Sequence, residues 1–94
     1  AEAAIGSTYN IMPRLYLQMR AAFEAGRLEE AIDCQRRANR VIRILIEHGV
    51  LAGVKAMLGW RGTPVGPPRL VDPLSAAAEK ALRADIDALD FEVA

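Results

Sequence analysis

The residues that could do chemistry in this sequence fall in four places. Gly6-Ser7-Thr8 sets a glycine beside two hydroxyls after a short apolar stretch. Such a triplet can offer backbone N–H groups and side-chain hydroxyls to a ligand, although most are plain turns. Lys55 is one of two lysines and sits among Val54, Ala56 and Met57. A desolvated lysine has a lowered pKa and can condense with a carbonyl. No base or oxyanion donor stands near it in sequence, so its stem is expected to pack while the ammonium reaches a carboxylate or water. Cys34 and His48 are the only cysteine and histidine, fourteen positions apart, with no CxxC, HxxxH or ExxH spacing. No metal site is therefore expected; Cys34 reads as a small packed hydrophobe and His48 as a cation complementing a helix C-terminus. Arg36, Arg40 and Arg43 recur at i, i+4, i+7 and could track phosphates. No aromatic residue interleaves with them, and Glu29, Glu30, Asp33 and Glu47 share the segment, which argues against nucleic acid.

Four helices must position these groups. Residues 1–5 (AEAAI) form a short apolar start, consistent with a strand remnant running into a loop. Pro13 marks a helix start, with Leu15, Met19, Ala22 and Phe23 at helical spacing and Gly26 as the C-cap. A second helix is predicted from Leu28 to His48, with Leu28, Ile32, Ala38, Val41, Ile42, Leu45 and Ile46 as its apolar stripe. Ile44 lies off that stripe, so the C-terminal half should be buried on more than one side. A third helix, Val50 to Trp60, offers Val54, Met57 and Leu58, and Gly62 ends it. Residues 63–73 (TPVGPPRLVDP) cannot be helix or central strand, because proline removes a donor and fixes φ. Val65, Leu70 and Val71 are expected to pack and keep this stretch ordered. The last helix begins near Asp72-Pro73 or Ser75 and carries Leu74, Ala78, Leu82, Ile86 and Leu89.

Composition bounds the rest. A 94-residue chain is one small domain at most. Twelve basic and twelve acidic residues cancel, which removes the positive excess of a nucleic-acid binder. The charge is nonetheless unevenly placed: residues 72–94 carry a net −4, and the preceding 71 carry +4. That asymmetry can steer contacts between segments or between chains. A single cysteine excludes an internal disulfide framework and suits a reducing compartment, so a cytoplasmic location is expected. No apolar run is long enough for a membrane span, and the N-terminus has no signal-peptide pattern. Helix 2 exposes more apolar surface than three neighbours would easily cover, which predicts further partners.

Ile5-Gly6-Ser7-Thr8-Tyr9-Asn10-Ile11-Met12 resembles a specific segment of the sialic acid lyase subgroup of the dihydrodipicolinate synthase family. The resemblance continues through EAGRLEEAIDCQRRANRVIRILIEHGVLAGVKAMLGWRG, then GPPR at Gly66 to Arg69 and DPLS at Asp72 to Ser75. It covers the chain from about Ala3 to Leu89. GSTYNIM with this helix spacing is its more specific part, whereas GVKAMLG occurs more broadly in the family.

The resemblance implies that the chain, all-α by itself, is the last third of a (β/α)8-barrel class I aldolase. Residues 1–10 would be the end of barrel strand eight and its loop, 11–26 the last barrel helix, and 27–94 a C-terminal three-helix domain. Members of the family form a Schiff base between pyruvate and a lysine on strand six, and a tyrosine from a YNxP segment shuttles protons; neither lies in this chain. Tyr9-Asn10-Ile11-Met12-Pro13 imitates YNxP with its proline one place late, so Tyr9 is not matched to that tyrosine, nor Lys55 to that lysine. Gly6 and Ser7 match the Gly-Ser that contacts the hydroxylated tail of the sugar acid. No cofactor is implied. The implied partners are the remainder of the barrel and further copies in a homo-oligomer, with no nucleic acid and no membrane. Pro13 stands where lyases of this subgroup often have glycine, and a related 2-keto-3-deoxy sugar acid aldolase or a dihydrodipicolinate synthase also fits. An autonomous helical interaction module is the alternative from a different class.

Overall fold

A computed structural model describes residues 3–94; Ala1 and Glu2, the first residues of the expected strand remnant, lie outside the described residues. A short 3₁₀ turn, Ser7–Asn10, precedes four helices: α1 (Pro13–Glu24), α2 (Leu28–His48), α3 (Val50–Trp60) and α4 (Ala76–Asp87). Among the described residues there is no strand, in agreement with the all-α expectation. Ala3, Ala4 and Ile5 carry no regular structure, and Ile5 is wholly exposed.

The helix boundaries follow local chemistry. Pro13 opens α1, where its missing N–H leaves no bond unmade. The Ser75 hydroxyl accepts the Ala78 N–H at 3.1 Å and caps α4. At the end of α3, Gly62 takes φ +82°, a conformation that a side chain strains. Its N–H reaches the Gly59 carbonyl while the Thr63 N–H reaches Leu58, the paired bonds that close a helix with a left-handed residue. Arg61 is thereby held at the turn. α1 ends the same way at Gly26, with Arg27 N–H on the Ala22 carbonyl.

The 21-residue α2 is the spine and packs against α1, α3 and α4. Val41 and Leu45 are fully buried along it, and they meet Met57 of α3 and Leu82 of α4 in one core. Ile11 and Met12, just before α1, are also fully buried, and they anchor the 3₁₀ turn to that core. Gly53 allows α3 to approach α2 closely, because any Cβ there would collide with Leu45.

Several expected core residues are at the surface. Phe23, Ile46, Leu28 and Ile32 are half to two-thirds exposed. Helical spacing alone assigns them to the apolar stripe, but the stripe is wider than the face the other helices cover. In the C-terminal half of α2, Ile42 and Ile44 are half-buried, so only part of the expected all-round burial occurs. The proline-rich stretch does not pack as expected: Leu70 is 89% exposed, and Val65 and Val71 are about half exposed. Prolines fix the local backbone there without turning the apolar side chains inward.

The charge asymmetry has a structural counterpart. The basic face of α2 meets the acidic C-terminal segment: Arg40 donates to Asp90 at 2.7 Å, and His48 Nε2 lies 2.7 Å from Asp85. Phe91 sits under Arg37 and Arg40, whose guanidinium carbons stand 5.7 and 5.4 Å from its ring centre. Arg40 of the arginine row, with the neighbouring Arg37, thus serves the fold. Between α3 and α4, Trp60 Nε1 donates to Glu79 at 2.7 Å, and Arg83 covers the Trp60 ring.

Candidate functional site

Gly6 and Ser7 open the 3₁₀ turn. Gly6 is extended (φ −176°, ψ 153°), a conformation any residue can take. A Cβ at Gly6 would meet the Tyr9 ring at 3.5 Å, an ordinary contact. Ser7 and Asn10 are exposed, and they line a cleft of about 310 Å³ with Leu51, Val54, Lys55 and Leu58 of α3. The fold therefore brings Ser7 and Lys55, 48 positions apart in sequence, to one concavity. Lys55 Nζ donates to the Pro67 carbonyl at 3.3 Å, so the proline-rich stretch tethers its ammonium while its stem lies along the cleft. This matches the packing role expected of Lys55, with a carbonyl in place of a carboxylate.

The turn itself is tightly specified. Asn10 Nδ2 donates to the Ser7 carbonyl at 3.0 Å. The Ile11 and Met12 N–H groups both reach the Thr8 carbonyl at 3.1 Å. The Thr8 hydroxyl and the Tyr16 phenol are 2.8 Å apart, and the Tyr9 ring meets Tyr16 edge-on with centroids 4.5 Å apart. Tyr9 therefore packs against Tyr16 of α1.

Met12 precedes a proline, which disfavours helical backbone at Met12; its φ and ψ are −142° and 52°. The helix consequently cannot run back through this junction. The Ile11 carbonyl and the Leu15 N–H, which a continuing helix would join, are left without helical partners. Both find distant ones. Arg61 donates through Nη1 to the Ile11 carbonyl and through Nη2 to the Val93 carbonyl, while Leu15 N–H donates to the Ala94 carbonyl at 2.9 Å. Partial burial lowers the pKa of Arg61 from its ordinary value, and neighbouring Glu92 opposes that shift. Sequence reading missed this arrangement. No local signal announces it, because the partners of Arg61 lie 50 and 32 positions away.

Cys34 and His48 serve different neighbours. Cys34 is buried in the core, where desolvation raises its pKa, and His48 pairs with Asp85 of α4. Among the described residues, no three His, Cys, Asp or Glu side chains cluster closely enough to hold a metal ion. No helix among them is long and apolar enough to cross a membrane.

A second concavity, about 670 Å³ in volume, runs between α1 and the N-terminal half of α2. Leu17, Phe23, Leu28 and Ile32 line it, and all are exposed. Its walls are mostly apolar, with polar groups from Tyr9, Tyr16, Arg20, Glu24 and Gln35.

Residues 1–89 match the dihydrodipicolinate synthetase family, and the chain belongs to that family. It is 52% identical over 69 residues to the N-acetylneuraminate lyase of Rhizobium meliloti (strain 1021), covering 73% of this chain and 23% of that protein. Against the N-acetylneuraminate lyase of Mus musculus it is 38% identical over 96 residues, covering 97% of this chain and 29% of that protein. The solved structure of Proteus mirabilis N-acetylneuraminate lyase superposes with a TM-score of 0.86 at 34% identity, covering 98% of this chain and 32% of that one. The chain thus spans 23 to 32% of the length of the proteins it matches.

Proposed function

We propose that this chain is the C-terminal portion of a pyruvate-dependent class I aldolase, N-acetylneuraminate lyase, which reversibly cleaves sialic acid to N-acetylmannosamine and pyruvate. The observation that carries this reading is the joint likeness of sequence and fold to N-acetylneuraminate lyases over almost the whole chain. In this reading residues 1–10 end the eighth barrel strand and form its loop, 11–26 are the last barrel helix, and 27–94 form the appended helical domain. The catalytic lysine and tyrosine come from the rest of the enzyme. This chain's part is to complete the far end of the sugar pocket.

Gly6 and Ser7 carry that part. Barrel enzymes build their sites from the loops after the strands, and the Ser7 turn is such a loop in this reading. The Ser7 side chain is exposed, and the Asn10 amide and buried Ile11 hold its backbone. It can exchange a hydrogen bond with a hydroxyl of the sugar-acid tail without reorganising. The apolar groove between α1 and α2 is, in the same reading, the face that packs against the rest of the barrel.

Ser7→Ala in the longer enzyme tests this assignment. Loss of a neutral hydrogen bond worth about 0.5–1.5 kcal/mol should lower kcat/KM for the sugar acid by about two- to tenfold. Borohydride trapping of the pyruvate imine should hardly change, since pyruvate has no tail to reach Ser7. If trapping fell as much as cleavage, Ser7 would belong beside the reacting carbons and the assignment would be wrong.

A further inference from the structure

We propose that Arg61 is a positioning residue for the Gly6-Ser7 turn, its guanidinium fixing where the Ser7 hydroxyl stands relative to the sugar-acid tail. The inference rests on the reading above for what Ser7 binds; the contacts that position Ser7 are independent of it.

The connection is short and made of backbone. Arg61 grips the carbonyl of Ile11, the residue immediately after the turn. The Ile11 N–H holds the Thr8 carbonyl at 3.1 Å, and Asn10 holds the Ser7 carbonyl at 3.0 Å. Displacing Ile11 therefore disturbs its own bond to Thr8 directly and, through the adjoining residues Asn10 and Met12, the bonds to the Ser7 and Thr8 carbonyls. The second arm of Arg61 takes the Val93 carbonyl, and the next residue, Ala94, accepts the Leu15 N–H of α1. Arg61 and Ala94 thus satisfy the Ile11 carbonyl and the Leu15 N–H, which the non-helical Met12 keeps from bonding each other at the start of α1. Arg61 is itself fixed by the closing turn of α3 at Gly62.

The geometry suits arginine in particular. A planar fork can hold two carbonyls of different segments at once, whereas a lysine ammonium on a flexible stem offers no such fixed pair of directions. Charge-assisted hydrogen bonds are also the stronger kind. The variants Arg61→Met, which keeps the stem and loses every donor, and Arg61→Lys, which keeps the charge, separate packing from grip.

Two measurements test the proposal. Hydrogen exchange of this chain reads the clamp alone: Arg61→Met should speed exchange of the Ile11 and Met12 amides by about tenfold or more, leaving the middle of α2 unchanged. In the longer enzyme, Arg61→Met should raise KM for N-acetylneuraminate by about three- to tenfold with kcat within about twofold, leaving pyruvate imine trapping unaltered. Arg61→Lys should restore part of both. Unchanged exchange at Ile11 and Met12 would overturn the proposal. Should Arg61→Met loosen α2 as well, Arg61→Lys decides: partial recovery at Ile11 and Met12 supports the clamp, and no recovery overturns it. Faster exchange with an unaltered KM, in an enzyme where Ser7→Ala raises KM, would also overturn it. If Ser7→Ala itself leaves KM untouched, the sugar-tail reading fails and the positioning role falls with it, even where exchange shows the clamp intact.

Discussion

Gly53 lies against Leu45: a Cβ at position 53 would stand 2.8 Å from Leu45 Cδ2, with Leu82 Cδ2 at 3.4 Å behind. Both leucines are fully buried, so neither side chain has free space to retreat into. Gly53→Ala should therefore destabilise the fold. Overpacking costs about 1–3 kcal/mol, and the better helix propensity of alanine returns about 1 kcal/mol. The net expectation is a loss of about 1 kcal/mol in urea unfolding. Gly59, on the same helix, has nothing within 4 Å of its virtual Cβ. Gly59→Ala should stabilise by about 0.5–1 kcal/mol. Equal effects of the two substitutions would refute the close approach of α3 to α2.

Cys34 should be chemically quiet while the chain is folded. Its side chain is buried, and desolvation raises the pKa of the thiol, leaving little thiolate to react. Its reaction with an aromatic disulfide reagent at pH 8 should run about tenfold or more slower than in urea. Cys34→Ser should cost about 1–3 kcal/mol, because it puts a more polar hydroxyl into an apolar core even where that hydroxyl bonds back to a carbonyl of the preceding turn. Rapid labelling of the folded chain would contradict the burial.

Acid should weaken the join between α2 and the C-terminal segment. The hydrogen bond from Arg40, then its charge, holds the Asp90 carboxyl below its ordinary pKa of 3.8. A carboxylate depressed in the folded state adds stability above its unfolded pKa, and that contribution disappears as pH falls through the folded value. Asp90→Asn should accordingly lower Tm slightly at pH 7, and the difference should shrink as pH falls below 3.8 toward about 2. Thermal melts of both proteins across that range check the convergence. Glu30, held down by its bonds from Arg27 and Gln18, should behave in the same direction.

The isolated chain should self-associate through the α1–α2 groove. Leu17, Phe23, Leu28 and Ile32 are all more than half, or half, exposed along it, and contiguous apolar patches of this kind mark interaction surfaces. Burying two such side chains across an interface yields about 3–6 kcal/mol. Sedimentation at micromolar concentration should show a dimer or larger species, and Phe23→Glu should return it to monomer. A wild-type monomer at those concentrations would show that the groove tolerates water.

Much of this protein is written in local sequence. Pro13, Gly26, Ser75 and Gly62 set helix ends because their effects act within one turn: a missing N–H, a left-handed φ, a hydroxyl acceptor. The four helices and the cores of α3 and α4 around Met57 and Leu82 could be read from spacing alone. So could the role of Cys34 as a packed hydrophobe. The Gly6-Ser7 pair stood out through the resemblance of its surroundings to one enzyme family, and the residues themselves permitted a plain turn.

Other features depend on partners far away in the chain. Helical periodicity places Phe23, Leu28, Ile32 and Ile46 with the core, yet which part of an apolar stripe is covered depends on where the neighbouring helices cross it. The same limit hid the apolar groove and left Leu70 at the surface. Spacing let Arg36, Arg40 and Arg43 be weighed as a phosphate track, whereas tertiary folding gave Arg40 the Asp90 carboxylate and gave Arg40 and the adjacent Arg37 the Phe91 ring. Arg61 is the sharpest instance. A local rule, proline after Met12, creates two backbone groups without helical partners, but only the path of the whole chain brings Arg61 and Ala94 to them. Spacing rules reach about one helical turn along the chain; hydrogen bonds between residues 50 positions apart exist only once the chain has folded.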